Sequence, residues 1–425
     1  MKAFIMQKER SIMMKKIFSV VVSVVVLLAV FSGAAFAQTV IKYANWQFQE
    51  PGRSDVLDEF IAAFEKETGV KVEKVSIPYS SYNDALATQF EAGSGPDVLF
   101  IQDLALVPWM KKGYLAELDA LLDIKKYEEE FPVQQAFASM DGKNFAMIYE
   151  GFPYAGMIYN KEFLEKAGVD VPTTPEELIA VSDAIFKATG QPGLIHPTDL
   201  SNASYIMQGG MIVIHGFGGA IVDADGKFTV NAPEFIKGVD YLREIYNLKS
   251  TPAGMQFGVQ RQQFLAGDAG IVMDGSYWPS IVQMNNPELY EKIGVAKLPF
   301  PNPASPFETN WYAVSENSKN KEAAAKFIDF LFRAENANRW AIISSIPGLK
   351  ATYDAVINEY PWFQVYAEAS PHGIVRMLPG HEADTPEINK MVADAIASAM
   401  SGQMTPENSM NQLQKNLEGR FGGGK

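Results

Sequence analysis

The chain has 425 residues, 47% of them apolar, with a formal charge of −14 and no cysteine. The apolar fraction excludes a disordered polymer, and the acidity leaves no electrostatic footprint for nucleic acid or anionic lipid. Without cysteine there are neither disulfide staples nor a thiol nucleophile, so stability must come from burial.

Lys15 and Lys16 precede an apolar run over 17–31, and Ala35-Phe36-Ala37 follows with the small-x-small pattern of a cleavage site. A signal peptide over 1–37, cut before Gln38, is expected, with Met13 or Met14 as an alternative start. No cysteine follows it to carry a lipid, so the product is expected free in a periplasm. Removing the segment takes away five Lys/Arg and one Glu and moves the formal charge to −18. The 388 residues that remain exceed what one core usually serves, which predicts two domains.

The mature chain alternates short apolar runs with amphipathic stretches, the pattern of an α/β fold. Val40 to Trp46 reads as a first strand. Ser54 then caps a helix carrying Leu57, Phe60, Ile61 and Phe64, which Gly69 stops. Val70 to Ile77 is a second strand, Tyr82 to Phe90 a second helix, and Asp97 to Ile101 a third strand, apolar on both faces as a buried parallel strand should be. Such units place their loops at the C-terminal edge of the sheet. Thr174-Pro175-Glu176-Glu177, Thr385-Pro386-Glu387 and Thr405-Pro406-Glu407 each announce a helix with a hydroxyl cap, a proline and an acid. Asp223-Ala224-Asp225-Gly226 reads as a surface turn, because Phe228 stands where a calcium loop needs glycine.

Enzyme signatures are largely absent. There is no G-x-S-x-G elbow, and His196, His215, His372 and His381 show no metal-ligand spacing, so no metal or cofactor is expected.

Five collinear stretches resemble the sugar-binding branch of the extracellular solute-binding proteins of ABC transporters. They are FIAAFEKETGVKV from Phe60, FEAGSGPDVLF from Phe90, YAGMIYNKEFLEKAGVDVPTTPEEL from Tyr154, FLAGDAGIVMDGSYW from Phe264 and AVSENSKNKEAAAKFIDFL from Ala313. Pro175 stands where that family usually has a packing tryptophan. The resemblance implies a periplasmic binding protein-like α/β fold, two discontinuous lobes joined by three hinge crossovers that close on a ligand. Crossovers are expected near Glu150, Met273 and Ala313. That gives a first lobe of 38–150 and 273–312 and a second of 151–272 and 313–425. The implied partners are a small sugar and the permease subunits of an importer, with the receptor a monomer.

Sugar recognition needs flat apolar surfaces for ring C–H faces and planar polar groups for hydroxyls. Residues at predicted strand ends are the candidates: Asn45 and Trp46, Gln102 and Asp103 with Trp109 beyond, Glu150 and Tyr154, Asp274 with Tyr277 and Trp278, and Asn310 with Trp311 and Tyr312. Arg376 is added as a clamp for a hydroxyl or carboxylate, with a surface ion pair as its alternative. Trp340, Trp362 and His381 are weaker candidates, and for every aromatic the alternative is core packing. A polyol, osmolyte or glycerol-phosphate ligand in the same fold is the nearest rival. A glycoside hydrolase using Glu150 with Asp103 is the rival from another class.

Overall fold

The computed structural model describes residues 1, 13–14, 38–50, 52–124, 126 and 137–422, so the expected signal segment lies almost wholly outside the described residues. In chain order the strands are β1 (Val40–Ala44), β2 (Lys71–Val75), β3 (Val98–Gln102), the small hairpin β4 (Ser139–Met140) and β5 (Lys143–Asn144), then β6 (Met147–Pro153), β7 (Gly156–Asn160) and β8 (Leu194–Ile195). They continue with β9 (Ile271–Asp274), β10 (Ile293–Lys297), β11 (Ser305–Val314) and β12 (Gly373–Val375).

Two larger sheets result. The first runs β12-β11-β3-β1-β2, with β6 on the other side of β11. In it β1 lies parallel to β2 and β3, while β11 runs antiparallel to β3 and β6. The second sheet runs β10-β7-β9-β8. Each has its own core. Tyr43, Phe64, Phe100, Trp311 and Phe327 belong to the first, and Met157, Ile185, Phe235, Val272 and Trp278 to the second. This is the two-lobed α/β fold the sequence predicts.

The chain passes between lobes at residues 154–155, where β6 of the first sheet leads into β7 of the second. It returns across 298–304, between β10 and β11. It leaves again at Met377 and Leu378, neighbours that belong to the first and second cores respectively. The expected boundaries near Met273 and Ala313 therefore fall elsewhere. Met273 sits inside β9, paired to β7 of the second sheet, and Val282 and Leu289 beyond it join the second core. Ala313 lies inside β11, and Phe327, Leu331 and Trp340 after it pack in the first core. Collinear motifs give the number of crossings but not which sheet each strand joins.

Local chemistry mostly follows the residues. Gly69 closes helix Arg53–Thr68 at φ 73, in the left-handed region a side chain resists. That helix starts one residue before Ser54, with Gly52 as its cap. Thr174 and Thr405 cap their helices through their hydroxyls. Thr385 does not: it is the first residue of helix Thr385–Met400, and its hydroxyl accepts from Leu378 N and donates to His381 O, fixing the third crossing. Asp223 and Gly226 form the surface turn predicted for them.

Candidate functional site

The C-terminal edge of the first sheet presents Tyr79 just beyond β2 and Asp103 just beyond β3. Asp103 opens helix Asp103–Lys111, and only 1% of it is exposed. Its carboxylate accepts two bonds from Arg376, from Nε at 2.9 Å and Nη2 at 2.7 Å. Arg376 follows β12, next to the third crossing. Its remaining edge, Nη1, lies 3.0 Å from Glu308 Oε2 on β11. Tyr154, on the first crossing, donates its hydroxyl to the same Glu308 carboxylate. Three crossing or edge segments thus meet at one guanidinium and two carboxylates.

The second lobe completes the cluster. Tyr277 meets Phe152 edge-on at 5.4 Å between centroids and stands perpendicular to Tyr154 at 6.4 Å. Asp274, at the end of β9, accepts from Tyr277 Oη at 2.7 Å, from Gly275 N at 2.7 Å and from the Trp278 indole. The Arg261 guanidinium lies 5.9 Å from the ring centroids of both Tyr277 and Trp278. Burial drives the electrostatics. It raises Glu308 above the usual carboxylate range against the pull of Arg376, and it lifts Asp274 to about 6 against the pull of its donors. The result is a buried aromatic cluster (Phe152, Tyr154 and Tyr277) packed beside buried carboxyl groups at the junction of the two lobes.

Other predicted residues gather elsewhere. Glu150 is fully buried in the first lobe, with Oε1 held by Gln47 Nε2 at 3.0 Å and Trp340 Nε1 at 2.8 Å, and Oε2 by Asn310 Nδ2 at 2.8 Å. Asn45 joins the same network through Tyr43 Oη at 2.7 Å and caps the short helix after β1. Trp46 packs on Tyr79, Tyr82 and Phe100. Trp311 is wholly buried in the first core, its indole on Thr309 Oγ1 at 2.9 Å. Trp278 is wholly buried edge-on against Phe264 and meets the cluster through Asp274 and the Arg261 guanidinium. Trp109 packs on Phe90, Tyr312 on Phe100 and Tyr149, and Trp362 binds Tyr290, while His381, just past the third crossing, stacks on Phe228.

Thus Asp103, Tyr154, Asp274 and Arg376 come together, joined by Tyr277. Asn45, Trp46, Glu150, Asn310, Trp311 and Trp278 serve packing or a buried network. Arg376 binds protein carboxylates on all its edges, so it is no clamp for a ligand. Glu308 and Tyr79 were missed. The single charge in the stretch Ser305–Val314 was a signal for Glu308, and the loop after the second strand was one for Tyr79. Arg261, within a helix, gave none. Among the described residues no group of three or more His, Asp or Glu is placed to hold a metal, and no helix is long and apolar enough to cross a membrane.

With fold and site in view, the class can be stated: the chain belongs to the bacterial extracellular solute-binding proteins, whose family model matches residues 50–338. Curated relatives include the galactooligosaccharide-binding protein of Bacillus subtilis, 25% identical over 88% of each chain. A probable ABC transporter-binding protein of Deinococcus radiodurans is 25% identical over 84% of this chain and 88% of its own. The GacH receptor of Streptomyces glaucescens, solved unliganded and with acarbose, superposes at a TM-score of 0.81, with 21% identity, 91% of this chain and all of its own covered. A maltose-bound receptor of T. maritima superposes at 0.76, with 23% identity over 90% of this chain and 99% of its own. These solved structures share its fold.

Proposed function

We propose that the protein is a carbohydrate receptor feeding an ABC importer from the periplasm, holding a neutral, hydroxyl-rich ligand between its lobes without altering it. One observation carries the reading: Tyr154, Phe152 and Tyr277 cluster beside Asp103, Glu308 and Asp274 where the lobes meet, covered in this form and bared when the hinge opens. Once hinge opening bares one such face, covering about 80 Å² of a sugar ring with it gives roughly 2 kcal/mol, and two or three faces reach micromolar affinity after ordering costs. Glu308 takes its contacts from Tyr154 and Arg376 on Oε2, which leaves Oε1 to accept from a ligand hydroxyl, a group costly to bury unpaired. The names of several relatives, galactooligosaccharide-binding among them, support the same ligand class.

The buried charges argue against the rivals. Both oxygens of Asp103 and both of Glu150 are taken by protein donors, which leaves neither free as a nucleophile or as a general acid. An anionic ligand would need a free guanidinium, and Arg376 is spent on Asp103 and Glu308. Calorimetry of the mature chain against neutral mono- to tetrasaccharides tests the proposal. At least one saccharide binds saturably and is recovered intact; released reducing ends, or binding of anions alone, contradict it.

A further inference from the structure

Helix Tyr277–Asn285 divides its faces between the two lobes. Trp278 and Val282 enter the second core. Ser276, which precedes the helix with helical backbone angles, Ser280 and Met284 recur every fourth residue on another face, and that face meets the first lobe. Its partner is the turn after helix Ala334–Ser344, tied to the first lobe by Trp340 before it and Leu349 after it, both in the first core. The turn is set from its own side: Ser345 N donates to Ala341 O at 2.8 Å, Ile346 N to Ser344 Oγ at 3.1 Å and Arg53 Nη2 to Ser344 O at 3.3 Å. Ser345 stands at φ 53; among the described residues other than glycine only Asp141, in the turn between β4 and β5, shares that left-handed backbone. Both oxygens of Ser345 then meet the second lobe. Its carbonyl accepts from Ser276 Oγ, and its hydroxyl shares a hydrogen bond with Ser280 Oγ. All three serines are buried. One turn further, Met284 comes so near that a Cβ at Gly52 would stand 2.8 Å from its sulfur.

We propose that Ser276 and Ser280, with Ser345, are positioning residues that latch the lobes shut: they touch no ligand and set how long the shut form lasts. The latch deepens the proposed function and rests on it for the saccharide that drives closure. The same helix carries Tyr277 into the junction cluster, so seating a ligand against Tyr277 and engaging the serines are one motion. A left-handed residue other than glycine persists where its surroundings over-determine it. Here the first lobe fixes the turn, and the second lobe takes up the two oxygens it presents. On opening, the serines exchange each other for water, so each bond shifts the closure equilibrium only a few-fold, and the pair about tenfold.

The test uses the full mature chain, which has no cysteine of its own. Ser280→Cys with Ser345→Cys is oxidised without sugar. The bridge is expected to form, since side chains in hydrogen-bond contact hold their Cβ atoms within disulfide reach, and to lower the radius of gyration in solution scattering relative to the reduced form. Stopped-flow kinetics then compare the native chain with the Ser276→Ala, Ser280→Ala double variant, using glucose, galactose, maltose, raffinose and maltotetraose. Every sugar the native chain binds is expected to leave the variant about tenfold faster, with its association rate and the urea midpoint little changed. No bridge, a bridge that leaves the radius unchanged, an unaltered dissociation rate, or a loss that differs from sugar to sugar overturns the latch. A bridge that compacts the chain while the native protein binds none of these sugars leaves the latch standing and removes the saccharide reading.

Discussion

Arg376 and Asp103 lie 273 residues apart in sequence, and their side chains meet in a two-point contact at 2.9 and 2.7 Å. The contact ties the end of β3 to the segment that makes the third crossing, and through Nη1 it also holds Glu308 on β11. A planar, five-donor guanidinium can bridge two carboxylates in this way; an ammonium cannot.

Removing that bridge leaves two buried acids unpaired. Arg376→Met is expected to lower unfolding free energy by about 3 kcal/mol, and Arg376→Lys by less, because charge survives while the fork is lost. Urea denaturation measures both. In the Asp103→Asn background the penalty of Arg376→Met shrinks, and a penalty that stays the same contradicts the pairing.

Cleft and core residues separate by what their loss changes. Tyr277→Ala is expected to weaken saccharide binding by roughly 30-fold, the equivalent of about 2 kcal/mol from one aromatic face. Trp311→Ala is expected to cost about 3–5 kcal/mol of stability with the Kd of the folded protein little changed. Calorimetry paired with denaturation resolves the two effects.

Glu150 belongs with the core group. Its replacement by Ala leaves the Gln47, Asn310 and Trp340 donors without an acceptor, and a loss of about 3 kcal/mol is expected. Binding measured below the unfolding transition stays near the native value. A selective loss of affinity with intact stability would return Glu150 to the ligand site.

Acid sensitivity comes from buried histidines. Burial lowers His196 and His215 from 6.5 to about 4. Between those values the unfolded chain takes up protons that the folded chain refuses. Their contribution is complete above pH 6.5 and is lost as pH falls toward 4, each on the order of 3 kcal/mol. Asp274, raised from 3.8 to about 6, acts with the opposite sign and weakens the fold as pH rises through that window. Denaturation at several pH values should show His215→Asn losing less stability on acidification than the native chain, since the amide can still reach Gly219 O.

The sequence made some of this legible and hid the rest for physical reasons. The first three strands and the helices between them follow from local pattern, and that pattern puts Asp103 at the C-terminal end of a strand. Tyr154 and Asp274 were accessible through the motifs that contain them. The tryptophans misled because a large ring after a strand fits a cleft or a core equally well, and Trp311 turns inward onto Thr309. Arg376 was visible as a lone cation, but its partners are long-range: nothing local says that Asp103 and Glu308 wait for it. The lobe boundaries were misread for the same reason, since sheet membership of β9 and β11 is set by pairing and not by periodicity.

Closure of the two lobes on a sugar is the claim most open to direct measurement. The chain has no cysteine, so Lys66→Cys in the first lobe and Lys187→Cys in the second give a unique pair of exposed labelling sites. Energy transfer between dyes at these positions is predicted to rise saturably with a bound saccharide, to stay at the unliganded value in Tyr277→Ala, and to return when intact sugar is dialysed away. A fixed transfer efficiency across every saccharide bound, or recovery of cleaved sugar, would contradict the account.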